Sequence, residues 1–139
     1  MLRRALLAAT LALASATAPA AGAAAPTPVG QYVDLQPVGL PVVVRGQLVN
    51  YIFVYVRVNL TPQADVSEVR NKEPFFRDAL VRMAHRTPFT RADDYNRIDE
   101  ARVVAGMTPA AVAIAGPGVV RSVVVTSQAP QHRIANPKS

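Results

Sequence analysis

The stretch LVNYIFVYVRVNL, residues 48–60, decides the fold. It is β-branched and aromatic and holds no Gly or Pro, so it reads as one long strand. Successive side chains of a strand point to opposite faces. One register is Leu48, Asn50, Ile52, Val54, Val56, Val58 and Leu60, aliphatic apart from Asn50. The other is Val49, Tyr51, Phe53, Tyr55, Arg57 and Asn59, aromatic and then polar. A strand with one dry face and one wet face alternates apolar and polar residues. Here both faces are apolar for most of the length. The aliphatic register is expected beneath a helix. The aromatic register is then left for a neighbour, which makes Tyr51, Phe53, Tyr55 and Arg57 the candidate association surface.

Upstream, residues 32–38 form a candidate strand, punctuated at its end by Pro37, Gly39 and Pro41. A short β-branched run at 42–45 comes next. Gly46-Gln47 reads as a tight connection into the long strand, giving a hairpin, and Pro41 argues for an edge position. Downstream, the period changes from 2 to 3.6. Thr61-Pro62 can open a helix, and Asp65 with Glu68 three residues later reads as a capping-box-like start. Val69, Phe76, Leu80 and Met83 fall on one helical stripe. Glu73 with Arg77 and Asp78 with Arg82 are i,i+4 pairs of favourable polarity. Pro74 implies a break or kink at 72–74, and then good helix over 75–85.

A second helix is expected over 93–105, with Ile98, Ala101, Val104 and Ala105 as its thin apolar side and Gly106 as its end. Thr108-Pro109 would restart a short helix that Gly116-Pro117-Gly118 stops. Residues 119–128, VVRSVVVTSQ, form the last strand, apolar enough to be central or well covered. Residues 129–139 read as a disordered tail. The order is β-β-β-α-α-(α)-β. This predicts an α+β class: a small, mainly antiparallel sheet of three or four strands, with two or three helices on one face, in a single domain over 32–128.

The chain has 139 residues, no cysteine and a formal charge of +6. Absence of cysteine excludes disulfides and thiolate metal sites. Thirteen arginines against two lysines fit codon bias in a GC-rich genome. Residues 1–23 have the layout of a signal peptide: Arg3 and Arg4, an apolar run over 5–14, and Ala21-Gly22-Ala23 as an A-x-A site. The rival is a weak N-terminal anchor, since 5–25 are uncharged; Pro19, Gly22 and abundant alanine speak against it. Residues 24–31 are a Pro-containing flexible lead-in. Cleavage would place the protein in the periplasm with a charge of about +4. Acidic envelope partners then become plausible, nucleic acid does not, and membrane contact arises only if the segment stays attached.

Catalytic and metal constellations are not evident. His85 and His132 lie far apart in sequence, and His85 suits a helix end. Asp93-Asp94 and Asp99-Glu100 suit helix capping, without the spacing of a calcium loop. No GxSxG, HExxH or P-loop occurs. Aromatic sheet faces also bind single-stranded RNA, but the required consensus is missing. A non-enzymatic module with no catalytic residues, metal or cofactor is expected.

The layout resembles the periplasmic domain of the FliL family of flagellar basal-body-associated proteins. The residues that carry the resemblance are the strand over 51–60, then Pro74, Arg77, Asp78, Ala79, Leu80 and Thr87, and the closing VVRSVVVTSQ. It extends over residues 32–128. It implies a stomatin-like fold, self-association into arcs or rings, and contact with the flagellar stator or another envelope protein. The chain departs from the family in its export-like start and in a second helix region broken by Gly106 and Pro109. The expected function is association in the cell envelope. The alternative is a periplasmic binding module for an acidic ligand, using arginines such as Arg57 and Arg121.

Overall fold

The long strand is the axis of the fold. In the computed structural model, which describes residues 30–138, it is β3 (Gln47–Leu60), numbered after β1 (Tyr32–Asp34) and β2 (Val38–Val44). The helices α1 (Val66–Asn71), α2 (Glu73–Arg86) and α3 (Glu100–Ala115) come after it, and β4 (Val120–Pro130) closes the order. β4 pairs antiparallel along one side of β3, from Leu60↔Val120 to Ile52↔Pro130. The other side is shared end to end. β2 covers Gln47–Val54, and β1 covers Arg57–Asn59. The result is the expected α+β arrangement, a four-stranded antiparallel sheet with three helices.

The β2–β3 hairpin turns on Arg45 and Gly46, both at positive φ (51° and 75°). Two such residues form the turn whose twist matches antiparallel strands, and glycine relieves the strain at the second. The turn therefore lies one residue earlier than the expected Gly46-Gln47. Pro41 sits within β2, which pairs with β3 alone, so its missing N–H leaves no ladder bond unmade. The expected strand over 32–38 is split instead, because Gln36-Pro37 interrupts β1 and β2.

Asp65 caps α1, its carboxylate accepting from Ser67 N (3.0 Å) and Glu68 N (3.2 Å). The break falls at Lys72, and Pro74 stands in the first turn of α2, where its missing N–H would be unpartnered anyway. Val69, Phe76, Leu80 and Ala84 are buried, with Met83 half-buried beside them. They share one core with the inner register of β3, in which Asn50 through Leu60 is buried. Leu48, 52% exposed at the hairpin end, lies outside that core. Both i,i+4 ion pairs form, at 2.8 Å each. Glu73 Oε1 also accepts from Gln36 N (2.9 Å), tying the β1–β2 link to α2.

The second half departs from expectation in three places. α3 begins at Glu100, capped by Asp99, and runs unbroken through Gly106 and Pro109. Its buried stripe is Val103, Met107 and Ala111, while Ala101 and Ala105 are exposed. Pro109 is tolerated because it lies on the exposed side, where the freed Ala105 carbonyl can reach water. Residues 93–97 are turns and bends instead of helix, and Ile98 forms an isolated antiparallel bridge with Thr90: Asp93 pairs with Arg91 and Asp94 accepts from Asn96 N (2.9 Å). β4 is an edge strand, not a central one, and only Val123 in it is buried. Its valines divide between the core and the opposite sheet face.

The expected tail departs as well. Residues 129–130 extend β4, Gln131 N donates to Tyr51 O (2.8 Å), and two asparagines hold the residues beyond. Asn50 Nδ2 donates to His132 O (2.8 Å). The Asn96 side chain meets both backbone groups of Ile134, donating to its carbonyl and accepting from its N–H at 2.8 Å each. A side-chain amide here takes the place of a strand rung.

Gly106 is where α3 comes close to α2; a Cβ there would stand 3.3 Å from Met83 Sδ. Methionine is flexible and can give by a few tenths of an ångström. Gly106→Ala should therefore gain up to about 1 kcal/mol from helix propensity. Gly106→Leu should lose stability, because its branches have no such room. Urea denaturation of the two variants checks the opposite signs.

Candidate association surface

The outer register of β3 has no helix over it among the described residues. Phe53 is 41% exposed and Tyr55 43% exposed, with Tyr51 and Arg57 half-buried between their neighbours. Backbone alternation puts them there: Ile52, Val54 and Val56 take the core side, so Tyr51, Phe53 and Tyr55 take the other. The pairing register completes the face. Gly39 and Pro41 lie opposite Phe53 and Tyr51, while Ser127 and Val124 lie opposite Tyr55 and Arg57 on β4. Gly39 leaves space that the Phe53 ring fills, 3.4 Å from where a Cβ would stand.

At the β1 end the face carries an ion pair. Asp34 lies opposite Arg57 and Tyr32 opposite Asn59. Arg57 makes a bidentate contact with Asp34, Nε to Oδ1 at 2.7 Å and Nη2 to Oδ2 at 3.0 Å. Its guanidinium also stacks 3.8 Å above the Tyr32 ring. These hydrogen bonds hold the Asp34 carboxyl below the usual carboxylate range, against a smaller upward push from desolvation. The same bonds raise Arg57.

A depressed folded-state pKa contributes stability above the unfolded value and loses it as pH falls through the folded one. Asp34→Asn should therefore lower the melting temperature slightly near neutral pH, the pair being exposed. The difference from the unaltered protein should shrink toward zero in strong acid, once the folded-state carboxyl too is protonated. Parallel thermal melts at the two pH values test this.

The four residues expected on this face, Tyr51, Phe53, Tyr55 and Arg57, do share it. Tyr32, Asp34 and Val124 join them, and sequence reading missed these three. The alternation of Tyr32 and Asp34 with buried Val33 and Leu35 is a signal for two of them.

Several titratable groups elsewhere are engaged locally. His85 is exposed, its Nδ1 2.8 Å from Val81 O in the last turns of α2. A cleft of about 510 Å³ lies beside the 90–101 segment and is lined in part by Asp93, Asp99, Glu100 and Gln128. Each carboxylate there has a partner. Asp93 takes Arg91, Asp99 caps α3 at Arg102 N (3.2 Å), and Glu100 accepts from Gln128 Nε2 (2.7 Å). Among the described residues, no three His, Asp or Glu side chains are grouped to hold a metal ion.

No family model matches the chain, and no curated protein matches it. The FliL resemblance therefore rests on the residues that first carried it. The signal-peptide reading of residues 1–23 and most of the lead-in lie outside the described residues. Among those described, no helix is long and apolar enough to cross a membrane.

Proposed function

We propose that the chain is an exported, non-enzymatic association module of the cell envelope, whose aromatic sheet face packs against a second copy. The observation that carries this is the uncovered face of β3, with Phe53 and Tyr55 exposed at its centre. Charge supports a copy as the occupant. Arg57 and Asp34 cancel one another, so two such faces meet without like-charge repulsion.

The sheet edges are poorer candidates. β4 carries register shifts at Tyr55/Val56 and Asn59/Leu60, which blunt its edge. On the other edge, Pro41 lacks an N–H and Val43 N is taken by Thr90 Oγ1 (3.0 Å). The face spans three strand widths along β3, on the order of 500 Å². That is below the roughly 800 Å² per partner of a stable complex. Association should therefore be weak, with dissociation constants in the micromolar range or above.

Sedimentation velocity across a concentration series tests the reading. The unaltered protein should shift from monomer toward dimer as concentration rises. Phe53→Asp and Tyr55→Glu should stay monomeric with unchanged circular dichroism. A protein that is monomeric at about millimolar concentration would sink the proposal, as would variants that dimerise normally.

The FliL-like role at the flagellar basal body is a narrower form of the same proposal. It is supported by the order of elements and by the Arg77-Asp78-Ala79 helix. Swimming assays on a deletion strain test it: normal motility counts against the flagellar version and leaves the dimer untouched. N-terminal sequencing of protein from cell fractions tests export, with a start at Ala24 expected. The acidic-ligand alternative has less support at this face, because Arg57 is already bound to Asp34 on both arms of its fork.

A further inference from the structure

The helical layer carries a second feature that the sheet face does not explain. α2 and α3 run antiparallel, with Gly106 beside Met83 at one end and Lys72 Nζ 3.4 Å from Ile114 O at the other. On the side away from the sheet, three hollows of about 330, 310 and 260 Å³ succeed one another along this seam. Neighbouring hollows share Arg82 and Ile114, then Met83 and Arg86, so they form one groove. Its floor is apolar, made by Ala79, Met83, Ala110, Ala113 and Ile114. Phe75 stands at one end, 62% exposed, the most exposed large apolar side chain among the described residues.

The rim is basic. Lys72, Arg82 and Arg86 line it, and among the described residues no carboxylate lines any of the three hollows. Asp78 answers Arg82 from outside the groove at 2.8 Å, which leaves Lys72 and Arg86 in excess on the rim. We propose that this groove receives an acidic amphipathic helix of a protein partner. Three observations select that occupant. The groove between two antiparallel helices is the shape into which a third helix packs its ridge, and the small alanines allow close approach. Lys72 to Arg86 extends about 21 Å, so the occupant presents about four turns. Basic walls over an apolar floor call for apolar residues on one side of that helix and Asp or Glu beside them. A second copy of this chain suits the groove poorly. Thirteen Lys and Arg against nine Asp and Glu in residues 30–138 leave it positive like the rim.

The probe is a fluorescein-labelled peptide of about 18 residues, with leucines at i, i+3, i+4 and i+7 and glutamates flanking them. Fluorescence anisotropy measures its binding to the full protein. A peptide with the same leucines and lysine flanks is the charge control, and vesicles of phosphatidylglycerol are the lipid control. The glutamate peptide should bind at least about tenfold tighter than the lysine peptide, and more weakly as salt rises. Lys72→Glu combined with Arg86→Glu should invert that preference. Phe75→Ala and Ala113→Glu, both at exposed positions, should each weaken binding by about tenfold. Phe53→Asp should leave peptide binding unchanged, which separates this groove from the sheet face.

Equal binding of both peptides, or binding unmoved by the groove variants, overturns the proposal. So does a groove-dependent preference for the vesicles over the peptide, which would make the occupant lipid. Loss of dimerisation in the double charge variant would make it a second copy.

Discussion

Replacing Asn50 with leucine is expected to cost about 2–4 kcal/mol of folding stability, although the change puts an apolar side chain at a buried site. Asn50 is the one buried polar residue in the core among the described residues. Its amide donates to His132 O (2.8 Å) and Tyr95 O (3.4 Å), and its carbonyl accepts from Tyr51 N (2.9 Å) and His132 N (3.4 Å). Three stretches of chain therefore meet on one side chain, at the point where β4 ends. Leucine fills similar volume and answers none of these groups. An unpaired buried donor or acceptor costs about 1–3 kcal/mol, more than the gain from added apolar area. Asn50→Asp should fail too, since a carboxylate offers no donor to the two carbonyls and places charge in the interior. The C-terminal segment should loosen first. Limited proteolysis should then cut residues 131–138 at low protease concentration in the variants and not in the parent. A loss below about 1 kcal/mol with an unchanged digestion pattern would show that the segment is held elsewhere, for instance by Asn96.

Asn50 also shows where the sequence is readable and where it is not. Within β3 the reading is easy, because period 2 holds for a whole strand without Gly or Pro, and one dry register fixes the buried side. α1 and α2 arise from Asp65 and Pro74, residues whose local chemistry decides a helix start. α3 resists the same treatment. Gly106 and Pro109 look like breakers on local grounds, yet Gly106 provides close approach to Met83 and Pro109 lies toward water. Either Asp93 or Asp99 could cap, and tertiary packing chooses. Ile98 is buried and bonded through its N–H to Gln128 Oε1 (2.8 Å), so the chain before Asp99 cannot coil into the helix. The valines of β4 suggest a covered strand because hydropathy does not distinguish a core from an exposed sheet face. Asparagine side chains that stand in for a ladder, as Asn50 and Asn96 do, leave no periodic trace. For the association face, one strand delivers Tyr51, Phe53, Tyr55 and Arg57 together. Tyr32, Asp34 and Val124 arrive only through the pairing register, which a single strand cannot reveal.

Phe75 and Phe76 offer the sharpest separation of folding from binding. They are adjacent and chemically identical, and a helix sets successive residues about 100° apart. Phe76 is fully buried in the core with Leu80 and the inner register of β3, while Phe75 projects at the end of the α2–α3 groove. Phe76→Ala removes a ring that the surrounding strand and helices cannot collapse to replace, and should cost about 3–5 kcal/mol. Against a total of about 5–15 kcal/mol for a domain, that is enough to leave part of the population unfolded at ambient temperature. Phe75→Ala should change stability by no more than about 0.5 kcal/mol. Its effect should fall on the affinity of the acidic peptide. Urea titrations of the two variants beside anisotropy with the same peptide give four readings with a crossed pattern. Phe76→Ala should remain able to bind in whatever fraction stays folded, so that binding falls only as the folded signal falls. If Phe75→Ala destabilises the protein as much as its neighbour does, the exposed ring belongs to the core, and the groove loses its anchor.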